Sequence, residues 1–146
     1  MDEADDEILQ NLLNRLNLLK QEKRMHEMSL AQAMLGLAEK YADGHRILAM
    51  KVRVGALSGV VTESLEFAFD LISRGTLAEG ARLNFQFVPV RMACKSCGQE
   101  VPTDEWQELP GNEAVYRALE RGCGCGSKEL KIVGGLDFQL AEIEVE

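Results

Sequence analysis

The chain has 146 residues, of which 46% are apolar and 27% charged. That suits one compact domain, or one domain with a small stapled module, and is not a disordered composition. Sixteen Lys and Arg against 24 Asp and Glu leave a formal net charge of −8, which argues against the basic face that non-specific nucleic-acid binding needs. No apolar run approaches the roughly 20 residues of a membrane-spanning helix. The opening Met1-Asp2-Glu3-Ala4-Asp5-Asp6-Glu7 is acidic where a signal peptide would be basic, so a cytoplasmic protein is expected.

Residues 1–24 stand apart. Ile8, Leu9, Leu12, Leu13, Leu16 and Leu19 recur at helical spacing, with acidic residues gathered at the start and basic ones in the second half. This reads as an appended amphipathic helix packing on a neighbour or on a second chain. A second helical stripe runs over Met28–Tyr41 through Leu30, Ala33, Met34, Leu37, Ala38 and Tyr41, and Asp43-Gly44 stops it. Arg46–Leu57 alternates, with Leu48, Met50, Val52 and Val54 on one face and Lys51 and Arg53 on the other, as in a strand with one wet face. After the turn-rich Gly55–Gly59, Thr62 is the expected cap of a helix to Ser73, its buried stripe Leu65, Ala68, Phe69 and Ile72. Ala81–Val90 reads as a second strand, with Leu83, Phe85 and Phe87 on one face. Leu136–Val145 reads as a third, whose apolar phase slips near Leu140.

Between the second and third strands lie all four cysteines: Cys94, Cys97, Cys123 and Cys125. Asn112 is the expected cap of a short helix Glu113–Arg121 between them, with Gly122 as its stop and Trp106 packing the insertion. Two disulfides are one arrangement of two close pairs, but a cytosolic chain keeps its thiols reduced. Two pairs in a reducing compartment read as one four-thiolate zinc site. Cys94-Lys95-Ser96-Cys97-Gly98 is a complete metal-binding knuckle. Cys123-Gly124-Cys125-Gly126 has one residue fewer between its thiols, and its glycines give the backbone room to compensate. Four thiolates close the site, leaving no position for a catalytic water, so the zinc is expected to be structural. Redox chemistry at Cys94 and Cys97 lacks the βαβ context it usually needs. Nucleic-acid binding by this lobe is disfavoured by its six basic and seven acidic residues over 91–131. The expected fold class is therefore α+β: a small, mainly antiparallel three-stranded sheet packed with two helices, an inserted zinc-ribbon-like lobe, and an N-terminal helical extension.

Of the two histidines, His45 follows Gly44 in a turn and reads as a solvated loop residue. His26 stands in Met25-His26-Glu27-Met28-Ser29-Leu30. Here the sequence resembles the HypA/HybF hydrogenase nickel-insertion proteins. Members of that family begin with Met-His-Glu, then carry an amphipathic helix and a strand ending in a Gly-Ala/Leu-Leu-Ser-type turn. The counterparts in this chain are Met25-His26-Glu27 and Gly55-Ala56-Leu57-Ser58-Gly59. Further matches are Glu63–Phe69, Ser73–Ala81 and the ending Glu142-Ile143-Glu144-Val145-Glu146. The resemblance covers residues 25–146.

What the resemblance implies is a metallochaperone and not an enzyme. Nickel(II) favours square-planar or tetragonal nitrogen donors, and an amine, a deprotonated amide and an imidazole close fused rings on it. Nickel would bind His26 through its imidazole and backbone nitrogen, with Met25 and Glu27 contributing backbone nitrogens. Zinc would sit on Cys94, Cys97, Cys123 and Cys125. The implied partners are the GTPase HypB, the large subunit of [NiFe]-hydrogenase and, in some organisms, urease with its accessory proteins. The expected domains are the extension 1–24, a nickel-binding domain over 25–90 and 133–146, and a zinc-binding domain over 91–132. Three departures from the family are plain. Residues 1–24 precede Met25, and while they are attached a peptide nitrogen replaces the terminal amine; a true start at Met25, a cleaved or added extension, and a different mode of nickel binding are the open readings. The second cysteine pair encloses one residue where the family usually has two. Residues 98–122 form a longer insertion than in compact members and contain no histidine.

A competing class is a zinc-ribbon adaptor that docks proteins through the leucine face of residues 8–19 and carries no nickel. The same face is also suited to a homodimer. An enzyme lacks its parts: no paired carboxylates in a defined cleft, no nucleophile–histidine constellation, and no Lys in Gly55–Gly59 to complete a phosphate loop.

Overall fold

The computed structural model describes residues 3–19 and 23–146, with the side chains of 15–26 outside that description. The elements in chain order are α1 (Glu3–Leu19), α2 (Lys23–Ala42), β1 (Ile47–Gly55), α3 (Thr62–Ser73), β2 (Arg82–Val88), β3 (Arg91–Cys94), β4 (Glu100–Val101), α4 (Gly111–Arg121), β5 (Leu130–Gly134) and β6 (Phe138–Val145). A 3-10 turn at Asp104–Trp106 precedes α4. The protein is α+β and divides into two compact units.

Unit 1 comprises Met1–Arg53, Gly59–Gln86 and Phe138–Glu146. Its sheet has the order β2-β1-β6, and α1 packs on both α2 and β6 while α2 packs on α3. The core of this unit contains Leu9, Leu13, Leu30, Met34, Ile47, Met50, Val52, Leu65, Phe138 and Leu140, all without significant exposure. Helix α1 buries Leu9 and Leu13 and leaves Ile8 at the surface, while the side chains of Leu16 and Leu19 lie outside the described residues. In β1, Met50 and Val52 are buried as the alternation predicts. Toward the start of the strand Ile47 and Ala49 are buried instead of Leu48. In β2, Leu83 and Phe85 are half-buried, whereas Phe87 at the strand's far end is 67% exposed.

Unit 2 comprises Val54–Ser58 and Phe87–Asp137. Its sheet has the order β4-β3-β5, with β3 antiparallel to both neighbours. Val90, Met92, Cys94, Val101, Ala114, Ala118 and Leu130 form its core, with Leu57, Trp106, Val115 and Cys123 packed against it. Residues 54–58 are threaded into this unit by backbone bonds. Gly55 N–H donates to Asp137 O, Ala56 N–H to Val88 O, and Leu57 N–H to Gly135 O, at 2.7–2.9 Å.

Two expected caps are replaced. Thr62 is the first helical residue of α3, not its cap. Val61 holds that position, without a side-chain cap bond of its own. Asn112 lies inside α4, which starts one residue earlier at Gly111 after Pro110. A Cβ at position 111 would come within 2.4 Å of Ala56 O, so the helix can begin at this contact because the residue is glycine. Gly122 does end α4, at φ 73, a left-handed conformation that glycine adopts without strain.

Candidate metal centre

The four cysteine sulfurs converge, all within 4.8 Å of one another. Cys94 Sγ lies 3.7 Å from Cys125 Sγ, and Cys97 Sγ 3.6 Å from Cys123 Sγ. Zinc–sulfur bonds of about 2.3 Å in a tetrahedron place sulfurs about 3.8 Å apart, so the donor set fits a zinc ion. Cys94 comes from the end of β3, paired with Leu130 of β5, and is fully buried. Cys97 and Cys125 are exposed, so the site has one side in the core and one at the surface.

Two tight turns shape the cradle. Gly98 N–H donates to Cys94 O and Gly126 N–H to Cys123 O, both at 2.9 Å, and both glycines have positive φ. The shortened second pair closes a turn of its own, with Cys123 N–H donating to Ser127 O at 2.8 Å. Backbone N–H groups aim at the sulfurs. That of Cys97, helped by that of Ser96 against the effect of burial, brings the Cys94 thiol down to about 6. The Gln99 N–H pulls Cys97 down, but the Cys123, Cys94 and Cys125 sulfurs together with burial outweigh it and push Cys97 up to about 11. Cys125 is likewise raised: the Ser127 N–H lowers it, but Cys94 and Cys123 prevail. Four sulfurs this close cannot all carry charge unless a cation compensates them, and this is the electrostatic signature of a metal site.

Met25 and His26 lie in the first turn of α2, and their side chains fall outside the described residues. Glu27 is described and is buried, 1% exposed. Its Oε1 accepts the backbone N–H of Val61 at 3.2 Å, at the N-terminal end of α3, while Oε2 has no hydrogen-bond partner among the described residues. The Glu27 carboxylate is thus turned toward α3, in a position where a helix N-terminus favours negative charge. This long-range anchor was not legible from the sequence, because local capping rules look within a few residues and the contact spans 34. His45 is an exposed turn residue, its N–H donating to Ala42 O at 3.0 Å.

A second polar cluster ties α1 down. Asp5, 6% exposed, is paired with Lys40 Nζ at 3.0 Å and accepts from the Tyr41 hydroxyl, both on α2. The Tyr41 and Lys40 hydrogen bonds hold the Asp5 carboxyl below the usual carboxylate range. Gln10 Oε1 accepts the N–H of Phe138, the first residue of β6, at 2.8 Å.

Residues 25–145 match the family model described as hydrogenase/urease nickel incorporation, metallochaperone, hypA. Hydrogenase maturation factor HypA of Geobacter metallireducens is 40% identical over 122 residues, covering 84% of this chain and 100% of that protein. The corresponding factor of Nostoc is 32% identical over 125 residues, covering 84% and 96%. Among solved structures, a solution structure of a HypA protein superposes with a TM-score of 0.59 at 23% identity, covering 84% of this chain and 97% of the other. The Ni metallochaperone HypA from Helicobacter pylori gives 0.53 at 22% identity, covering 82% and 96%. These two structures share the fold.

Proposed function

Since this chain belongs to the HypA family, a family of metallochaperones and not of enzymes, we propose that it binds Ni(II) and delivers it for maturation of [NiFe]-hydrogenase. The observation that carries this reading is where the match starts. The family segment begins at Met25-His26-Glu27, the nitrogen-rich tripeptide suited to nickel. His26 supplies the imidazole and its own backbone nitrogen, and Met25 and Glu27 supply backbone nitrogens. The buried Glu27 carboxylate supports that division, since one of its oxygens is engaged by Val61.

Cys94, Cys97, Cys123 and Cys125 hold a structural zinc in this reading, and the converging sulfurs support it. When bound, zinc neutralises the thiolates and cross-links β3 to the turn before β5. Residues 25–90 and 133–146 form the nickel-handling domain and 91–132 the zinc domain. The partners are the GTPase HypB, the hydrogenase large subunit and, where urease is present, its accessory proteins. Among the described residues no helix is long and apolar enough to cross a membrane, and we place the chain in the cytoplasm with those partners.

The test is a nickel titration of the zinc-loaded chain beside its His26→Ala variant. One nickel per chain, lost in the variant, is expected. No nickel uptake by the parent chain would leave a zinc-stapled adaptor.

A further inference from the structure

Helix α1 has no counterpart in the relatives that match over their full length, because the shared segment starts at residue 25. It is nevertheless built into unit 1. Leu9 and Leu13 retain 0% and 1% of their surface. The Asp5 carboxylate is held by Lys40 and Tyr41 of α2, and Gln10 takes the N–H of Phe138 on β6. Since β6 lies at the edge of the β2-β1-β6 sheet, Gln10 satisfies a donor that strand pairing on that side would otherwise use. A 17-residue helix alone in water is marginal, and these ties to two different elements hold it.

We infer that α1 is an integral element of unit 1 that keeps Met25 internal, so that nickel is taken by His26 with internal donors and no terminal amine. The second half of this inference rests on the nickel reading above. The chemistry differs from amine-anchored binding in one respect. The metal binds first at the imidazole and then displaces a proton from each amide it recruits, forming one Ni–N bond and releasing one H+ to water. Met25 is the third residue of α2, so its N–H is among the first-turn donors that have no carbonyl partner within the helix. Its deprotonation breaks no bond of the helical ladder, whereas the amide of Glu27, the fifth residue of α2, donates to the carbonyl four residues back, so recruiting it opens the first turn of the helix. Affinity then rises with pH as protons are released.

The experiment uses three zinc-loaded proteins: the full chain, a form beginning at Met25, and the full chain carrying Leu9→Asp with Leu13→Asp. Amide hydrogen exchange of the full chain is expected to protect residues 5–13 as well as α2 and β6. Fast exchange confined to α1 would show an appended helix and overturn the first half, whatever nickel does. In nickel titrations at pH 7, the Met25 form is expected to bind at least about tenfold tighter than the full chain, because a terminal amine gives up its proton to the metal far more readily than an amide does. The double variant undocks α1 but leaves Met25 internal, so it should melt lower and keep the full chain's nickel affinity. If its affinity rises to that of the Met25 form, α1 is a mask and the donor assignment is wrong. If none of the three binds nickel, the proposed function falls while the exchange result still decides whether α1 is integral. Should the Met25 form not fold, the exchange data and the double variant decide the inference.

Discussion

Glu27 Oε1 and the backbone N–H of Val61 meet at 3.2 Å, so the residue after His26 anchors the start of α3 through its side chain. Glu27→Ala removes the acceptor of this part-buried bond and empties the space of a buried side chain, and should cost about 1–3 kcal/mol of stability in urea unfolding. Glu27→Gln keeps an acceptor for Val61 and should cost less. Both variants should still take up one nickel, because the proposed ligand is the backbone nitrogen of Glu27. Loss of nickel from a folded Glu27→Gln protein would make the carboxylate itself a ligand.

Removing one thiolate from the zinc cradle should loosen unit 2 and spare unit 1. Structural zinc supplies on the order of 10 kcal/mol to small folded modules, so Cys97→Ser should lower zinc content to well under one per chain. Trp106 reports the effect, since it packs on the unit 2 core with the Arg121 guanidinium 4.3 Å from its ring centroid. Its fluorescence should shift to the red on zinc loss while the helical circular dichroism of unit 1 persists. Unchanged emission from a zinc-free protein would show that the unit 2 core stands without metal.

The docking of α1 should respond to acid in one direction only. The Asp5 carboxyl is held below its ordinary range by Tyr41 and Lys40, so the charged form is the one the fold stabilises. That contribution is fully present above the unfolded carboxylate value and is lost as pH falls through the lower folded value. Stability measured by urea titration should therefore show no Asp5-linked slope between pH 8 and 5, and an added loss below about pH 4. Asp5→Asn should remove that acid-dependent component and lower stability at neutral pH.

Position 55 admits only glycine. A Cβ there would sit 2.2 Å from Gly135 O and 2.7 Å from Asp137 N, backbone atoms of two residues whose carbonyl oxygens accept the Leu57 and Gly55 N–H groups of this segment. Gly55→Ala should cost about 1–3 kcal/mol or more, read as a lowered melting temperature. A melting temperature within a degree of the parent would mean the segment 54–58 can shift.

Much of unit 1 was legible because its elements are long and periodic. Helix α3 falls on Thr62–Ser73 as its stripe implies, and β1 and β2 lie within the alternating stretches. The cysteine spacing likewise pointed to one cluster, and the four sulfurs do converge. The strands of unit 2 went unread: β3, β4 and β5 span two to five residues each, too short for alternation to register against turns and glycines. The roles of Glu27, Asp5 and Gln10 were also invisible. Each is a polar residue whose partner lies 34 or more positions away, and polarity read locally suggests solvent.

The way the two units share the chain bears on how the protein is made. Unit 2 needs Val54–Ser58 early in the sequence and Asp137 late in it, while unit 1 needs its last strand from Phe138–Glu146. Domains usually fold in turn as they leave the ribosome. Here unit 2 lacks a part until Asp137 has been added, and unit 1 until Phe138–Glu146 has followed. The half-made chain must carry the leucines of α1, the β1 strand and four unpaired thiols together without their final partners. Translation speed and zinc supply at that moment, more than the strength of any finished contact, should decide how much of the protein is recovered folded.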